Sequence, residues 1–239
     1  MRKWLLLSGL AILPLLGAPM AQAQRVLLQA DVAQDTLPTS SGPNRTYFSH
    51  LYLGYAAAVG RASGPGVDLQ FGRSGELQVG WRNKLRLHQA LALGLDLRYA
   101  RLGYYLKQND QKTVPTATRY EREHITLSQL QGEAFVRLSA GRRGNAIGRY
   151  VDLLGWGGWV MGSSHYYLEA ATATAKKRQV TERGLRYVQR WPYGVGLRLG
   201  SGRYAVTGRY RLSSTFAGAA QSRYPELPRW TVGLELGWF

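Results

Sequence analysis

The chain has 239 residues, no cysteine and a formal net charge of +17, and 19% of its residues are charged. Without cysteine it has neither a disulfide framework nor the thioether attachment site of a lipoprotein. After residue 23 no apolar run approaches the roughly 20 residues that a transmembrane helix needs, which excludes a helical membrane anchor.

The first 23 residues have the pattern of a secretory signal peptide. Arg2 and Lys3 form a basic n-region, residues 4–16 form an apolar h-region, and residues 21–23 (Ala-Gln-Ala) form a small-residue cleavage site. Prolines in this region argue against the alternative, an anchor helix. We therefore expect cleavage after Ala23 and export. For an exported chain the nearest polyanion is a lipopolysaccharide surface, so the positive charge does not predict nucleic-acid binding.

Residues 24–46 are polar and contain prolines and glycine, which is typical of a periplasmic lead-in with little structure. After them, eight segments alternate apolar and polar residues with the period of a β-strand. They cover residues 47–59, 76–87, 91–99, 124–139, 150–168, 185–199, 203–212 and 229–239. A change of phase near Ser128 predicts a bulge, and Pro192 in the sixth segment predicts a bulge or a lost ladder hydrogen bond.

The connections between these segments alternate between long and short. They cover residues 60–75, 88–89, 107–123, 140–149, 169–184, 200–202 and 213–229. Short periplasmic turns and longer extracellular loops are typical of outer-membrane barrels. The sequence therefore predicts an all-β fold over residues 47–239, an eight-stranded antiparallel up-and-down transmembrane β-barrel. A ten-stranded barrel and a soluble β-sandwich are the alternatives.

The last segment has the most informative pattern. Its apolar face carries a tryptophan near each end, Trp230 and Trp238, and the chain finishes with Phe239. With this last segment, the signal peptide and the alternation of short and long connections, the chain resembles the small outer-membrane β-barrel family of OmpA/OmpX and PorT-like type. The resemblance covers residues 47–239. The resemblance implies residence in the outer membrane of a Gram-negative-type bacterium. It also implies insertion by the barrel assembly machinery, with Trp238 and Phe239 as the C-terminal signal. Phe239 departs from the pattern, because the apolar row is in phase with Trp238.

The faces expected to point inward carry many charged side chains. They are Glu76, Arg82, Lys84, Arg86, Asp96, Arg98, Glu133, Arg137, Arg186, Arg190, Arg198, Arg209, Arg211 and Glu235. An eight-stranded barrel is just wide enough for side chains to fill, and charges buried there must be paired. We therefore expect a salt-bridged polar interior. A narrow anion-favouring pore is the alternative.

The long connections are basic. We expect contacts with lipopolysaccharide phosphates from Lys112, Arg119, Arg122, Lys176, Lys177 and Arg178, because clustered cations bind phosphate strongly. Ordinary solvated loop charges are the alternative.

Catalytic and metal-binding patterns are weak in this sequence. The four histidines lack zinc-ligand spacing, no catalytic motif occurs, and no cofactor is expected. Ser163 and His165 faintly resemble the His-x-Ser pair of outer-membrane lipid A deacylases, but in reversed order. We therefore expect a non-enzymatic monomer. Its role would be envelope integrity, surface interaction or secretion support, and these stay open because the family includes several functions. A lipid A-modifying enzyme is the alternative.

Overall fold

The computed structural model describes residues 42–140, 146–171 and 176–239. The predicted signal peptide and residues 24–41 of the predicted lead-in lie outside the described residues. A five-residue helix, α1 (Ala219–Arg223), lies in the last long connection. Within the described part of the chain, no helix has the length and hydropathy needed to cross a membrane.

The described residues form nine β-strands. They are β1 (Tyr47–Val59), β2 (Gly75–Arg86), β3 (Leu91–Tyr105), β4 (Arg122–Ala140), β5 (Arg149–Glu169), β6 (Arg178–Arg183), β7 (Tyr193–Ser201), β8 (Tyr204–Arg211) and β9 (Trp230–Trp238). All except β6 fall in segments that alternate between apolar and polar residues, because successive side chains of a strand point to opposite faces.

Eight of these strands close into a barrel. The antiparallel ring runs β1, β2, β3, β4, β5, β7, β8, β9 and returns to β1, since β1 pairs with both β2 and β9. Strands that follow each other along the chain are neighbours in the ring, which is the up-and-down arrangement. The predicted eight-stranded antiparallel fold is confirmed, and the closed ring of described residues rules out the sandwich and the ten-stranded barrel.

The two ends of the barrel differ in their connections. We call the end where β1 begins and β9 finishes the terminal end, and the opposite end the loop end. At the terminal end β2 and β3 are joined by residues 87–90, and β7 and β8 by residues 202–203. At the loop end the connections include residues 60–74, 106–121 and 212–229. Residues 141–145 and 172–175, which belong to two predicted connections, lie outside the described residues.

The wall is irregular along β5. The half of β5 nearer the terminal end, residues 149–157, pairs with β7, whereas residues 164–169 pair with the short strand β6. The predicted connection 169–184 therefore contains a strand, β6, that was not predicted from the sequence. On its other side β5 pairs with β4, and a register shift between Ser128 and Gln129 confirms the predicted bulge.

The predicted sixth strand, 185–199, is wrong over residues 185–192. Regular pairing with β5 begins at Tyr193, directly after Pro192. Proline has no N–H to donate to a ladder, and the regular ladder ends here as expected, although the Pro192 carbonyl still accepts from the Gly158 N–H at 2.8 Å.

The outer surface of the barrel is apolar around the whole ring. We call this surface the apolar belt; its exposed members include Leu51, Leu53, Val79, Trp81, Leu95, Leu97, Leu130, Val136, Leu153, Trp159, Val195, Leu197, Val206, Val232 and Leu234. The alternation is sharp, since Leu95 is 66% exposed while its neighbour Asp96 is 3% exposed. The apolar face of each strand therefore points away from the barrel axis.

The interior is layered along the axis. At the terminal end Phe48, Ile147 and Tyr150 form a small apolar cluster against which Phe239 packs. At the loop end lies a larger cluster, which we call the apolar cap. It consists of Ala58, Val67, Leu102, Tyr104, Leu106, Val114, Ile125, Leu127, Val188, Phe216 and Leu227. Charged side chains occupy the layer between them.

Candidate functional site

The middle of the barrel contains ten buried charged side chains, which we call the charge network. It comprises five arginines, Arg82, Arg98, Arg137, Arg198 and Arg209, and five carboxylates, Glu76, Asp96, Glu133, Asp152 and Glu235. Every ring strand except β1 contributes to it. The residues converge because each occupies an inward position of its strand.

Arg198 is the hub of the network and is completely buried. Its Nη1 lies 2.8 Å from Asp152 Oδ2 and its Nε lies 3.0 Å from Glu235 Oε2. Its Nη2 also donates to Glu133. One guanidinium therefore links carboxylates that come from three different strands.

The other arginines bridge the same carboxylates. Arg82 lies 2.8 Å from both Asp96 Oδ2 and Glu235 Oε2. Arg209 Nη2 lies 2.8 Å from Glu133 Oε2. Most carboxylates are thus shared between arginines, and the network is continuous across the barrel.

Arg137 and Asp152 form a bidentate ion pair. Arg137 Nε and Nη2 donate to the two carboxylate oxygens of Asp152 at 2.7 and 2.8 Å. This planar geometry is the strongest arrangement available to an arginine and a carboxylate. Asp152 was missed in the sequence, because glycines in β5 obscure the phase of the alternation. Its position between outward Val151 and Leu153 was the available signal.

The network is balanced in charge. A buried charge without a partner costs several kcal/mol, whereas five cations facing five anions compensate one another. Glutamine side chains add hydrogen bonds to the network, since Gln78 accepts from Arg98 at 3.1 Å and from Arg209 at 2.6 Å. The arrangement is that of a packed polar plug.

Four inward aromatic rings lie directly opposite glycines across the ladder. The pairs are Tyr52 with Gly80, Phe135 with Gly94, Tyr150 with Gly200, and Trp156 with Gly194. A Cβ at Gly80 would lie 2.5 Å from the Tyr52 ring, and one at Gly94 would lie 2.1 Å from the Phe135 ring. Only glycine therefore allows these rings to lie across the neighbouring strand.

The same rings present their faces to the network. The guanidinium carbon of Arg82 lies 4.2 Å from the Tyr52 ring centre, and that of Arg137 lies 3.5 Å from the Tyr150 ring centre. Cation–π contacts of this kind stabilise a desolvated guanidinium. Glycine, ring and arginine thus form a repeated three-part unit around the inner wall.

The structure places most of the sequence-predicted interior charges in this layer, with some exceptions. Arg211 is buried nearer the loop end, where its Nη2 lies 2.9 Å from Glu226 Oε1. Arg186 and Arg190 are exposed, in contrast to the inward position expected for them. The reason is that residues 185–192 do not belong to a ring strand.

The apolar cap covers the network from the loop end. Phe216 is buried and stacks edge-on against Tyr224 with ring centres 5.2 Å apart. Tyr187 packs against the Phe216 ring. Burial raises the pKa of the Tyr187 hydroxyl far above its ordinary value, so this side chain stays neutral. The cavity between cap and network measures about 30 Å³, roughly the room of one or two water molecules.

A second buried charge cluster lies beside the cap. Lys112 Nζ lies 2.6 Å from Glu123 Oε2, and His165 Nε2 lies 2.8 Å from Glu123 Oε1. Lys112 was expected to contact lipopolysaccharide, but it is 4% exposed and its amine also donates to two backbone carbonyls. A lysine enclosed in this way is not available to a surface ligand.

The Ser163 and His165 pair does not have the geometry of a hydrolase. Both ring nitrogens of His165 face carboxylates, Nε2 that of Glu123 and Nδ1 that of Glu182 at 3.4 Å. Ser163 Oγ accepts a hydrogen bond from the Leu185 N–H at 2.8 Å. A serine nucleophile needs a free histidine nitrogen to remove its proton, and His165 offers none in this arrangement.

The remaining predicted lipid-contact residues lie on the surface of the loop end. Arg119 pairs with Asp110, Lys177 lies 3.4 Å from Glu121, and Arg178 lies 3.6 Å from Glu169. Arg122 and Lys176 are exposed. Exposed pairs of this kind contribute little to stability and leave the cations accessible.

The two C-terminal aromatic residues point in different directions. Trp238 is 85% exposed on the outer face, whereas Phe239 packs edge-on against Phe48 with ring centres 5.3 Å apart. The phase mismatch seen in the sequence is therefore real: Phe239 turns into the terminal end of the barrel.

No protein-family model and no curated protein sequence matches this chain. Among solved structures it is similar to Ail, the attachment invasion locus protein of Yersinia pestis, crystallised in complex with the heparin analogue sucrose octasulfate. The identity is 11%, the match covers 80% of this chain and 97% of Ail, and the TM-score is 0.33. A likeness of this size carries no inference about ligands or activity.

Proposed function

We propose that this chain is an integral outer-membrane β-barrel protein with a closed interior, which acts through its surface and without catalysis. Its role would be envelope integrity, surface interaction or secretion support. The loop end would face the exterior and the terminal end the periplasm.

The apolar belt is the observation that carries this proposal. Soluble monomers rarely expose contiguous apolar patches larger than a few hundred Å², and here such a surface runs around the whole ring. A lipid environment removes the cost of that exposure. The polar side chains on the opposite face fit this arrangement, since they lie in the enclosed interior.

The length of the strands also fits a bilayer. A membrane-spanning β-strand needs roughly 9–11 residues with aromatic residues near the interfaces. β9 has 9 residues and carries Trp230 and Trp238 at its ends. Export through the predicted signal peptide and insertion by the barrel assembly machinery, using Trp238 and Phe239, complete the proposal.

A closed interior supports a role other than conduction. The terminal-end cluster, the charge network and the apolar cap succeed one another along the axis, and the cavity between network and cap has room for only one or two water molecules. Planar-bilayer recordings are expected to stay at the closed baseline. Stable anion-selective steps would favour the narrow pore instead.

A surface role agrees with the exposed cations of the loop end. Arg119, Arg122, Lys176, Lys177 and Arg178 would contact phosphate groups of lipopolysaccharide around a monomeric barrel. Mass spectrometry of lipid A from cells with and without the protein separates this role from lipid A modification. We expect identical lipid A. An altered acyl pattern that Ser163→Ala abolishes would overturn the non-enzymatic proposal.

Heat-modifiable migration tests the membrane barrel itself. The protein extracted from outer-membrane fractions is expected to migrate differently in gels before and after boiling, because a closed barrel resists detergent unfolding. Recovery in the soluble fraction without detergent, together with unchanged migration, would contradict the proposal.

A further inference from the structure

The wall has a seam between β5 and residues 184–192. The last regular pair joins Gly157 to Tyr193, and beyond it the Val160 N–H still donates to the Arg190 carbonyl at 2.9 Å. The next bond, from Gly184 N–H to the Ser163 carbonyl, also measures 2.9 Å. Between these two bonds, the described backbone of residues 161–162 makes no hydrogen bond to the 184–192 segment.

On the side facing away from β5, this segment pairs with residues 215–217. The Gln189 N–H donates to the Thr215 carbonyl, and the Ala217 N–H donates to the Tyr187 carbonyl, both at 2.9 Å. The opening left at the seam is a cleft of about 410 Å³ that reaches inward as far as Val188 of the apolar cap.

A groove in the apolar belt lies beside the cleft. It measures about 450 Å³ and is lined by glycines, tryptophans and leucines, and both openings share Trp159. Gly132 and Gly157 pair directly and form part of its floor, and a Cβ on either would meet nothing within 4 Å. Trp159 and Trp191 stack beside it with ring centres 6.5 Å apart. The groove exists because outward glycines replace the bulky residues found elsewhere in the belt.

Two cations line the cleft where it opens to the surface. Arg183 and Arg190 are exposed, and neither forms an ion pair with another described residue. A further belt groove, of about 640 Å³ and containing Gly208, has no charged residue in its lining. The seam thus combines an apolar groove with two arginines that form no ion pair with another described residue.

We propose that this seam binds one acyl chain of a phosphorylated glycolipid of the lipid A type. The chain lies in the glycine-floored groove, and a phosphate of the headgroup binds Arg183 and Arg190. Arginine suits phosphate because its planar fork donates two hydrogen bonds at once. The seam lies toward the loop end, where the outer leaflet would meet the barrel, and this favours a glycolipid over a phospholipid. The inference rests on the outer-membrane location proposed above.

Native mass spectrometry of the delipidated full-length protein, with lipid added back, tests the site. Phosphorylated lipid A is expected to bind one to one, and more tightly than dephosphorylated lipid A or phosphatidylglycerol. The double variant Arg183→Gln/Arg190→Gln should weaken binding of phosphorylated lipid A by about tenfold or more, because it removes charge-assisted contacts. Arg61→Gln/Arg223→Gln is the matched control, since it removes the same charge elsewhere on the loop-end surface.

The groove is tested separately. Gly157→Leu should lower the binding of phosphorylated and dephosphorylated lipid A alike, whereas Gly208→Leu, an outward glycine in the uncharged groove, should not. Equal binding by all variants, or phosphatidylglycerol binding as tightly as lipid A, would overturn the assignment. Heat-modifiable migration of the same preparations shows whether the barrel is intact, so a failure here is distinct from a failure of the proposed membrane location.

Discussion

The two main layers of the barrel interior, the charge network and the apolar cap, are stabilised by different interactions. The charge network comes from inward positions of seven ring strands, and its members contact one another as ion pairs. The apolar cap instead takes many members from the connections, among them Val67, Leu106, Val114, Val188 and Phe216. The first layer depends on electrostatic matching and the second on the burial of apolar area.

The two layers should differ in the substitutions that they tolerate. An ion pair requires a partner in a fixed direction, so a single neutral substitution leaves several opposite charges without compensation. Apolar packing has no direction, and its loss scales with the volume removed. The charged layer should therefore be the more sensitive of the two.

The largest expected effect comes from the hub of the network. Arg198→Met leaves Asp152, Glu133 and Glu235 with one cation fewer and should lower the free energy of unfolding by about 3–5 kcal/mol. Urea titration of the barrel in lipid measures this change. Arg101→Met, at an exposed arginine on the outer face of β3, should change it by less than about 0.5 kcal/mol. Equal losses in the two variants would show that the network is not a stabilising unit.

A smaller effect is expected in the apolar cap. Leu106 is buried, and Leu106→Ala should lower the free energy of unfolding by about 2–3 kcal/mol, through lost burial and the cavity left behind. The control is Phe71→Ala, at a loop-end side chain that is 80% exposed. If Leu106→Ala cost more than Arg198→Met, the ranking of the two layers would be reversed.

The smallest effect on stability is expected outside both layers. Replacing Lys176, Lys177 and Arg178 by serine removes exposed cations and should change the free energy of unfolding by less than about 1 kcal/mol. The amount of lipopolysaccharide that co-purifies with the barrel should nevertheless fall. Unchanged co-purification would count against a phosphate contact at these positions.

The sequence predicts the charged layer well because that layer follows strand alternation. Asp96, Glu133 and Glu235 each lie between outward residues, so their inward position is visible without a structure. Asp152 is the exception, since glycines around it remove the contrast between the two faces. The pairing of particular arginines with particular carboxylates needs the barrel register, which local periodicity does not contain.

The loop end could not be predicted in the same way. Lys112 looks like a solvated loop cation in sequence, yet it is enclosed by Glu123 and backbone carbonyls from its own connection. Residues 185–192 alternate like a strand, yet Pro192 and pairing with residues 215–217 take them out of the ring. Long-range packing overrides local pattern in both cases.

Spin labelling of the apolar belt tests the central claim most directly. The chain has no cysteine, so Leu93→Cys, Leu95→Cys and Leu97→Cys each carry a single label, with Phe71→Cys as the loop-end control. In bilayers, labels at 93, 95 and 97 should collide readily with oxygen and hardly at all with a water-soluble nickel complex, and the label at 71 should behave in the opposite way. Free access of the nickel complex to all four positions would contradict a membrane-embedded barrel.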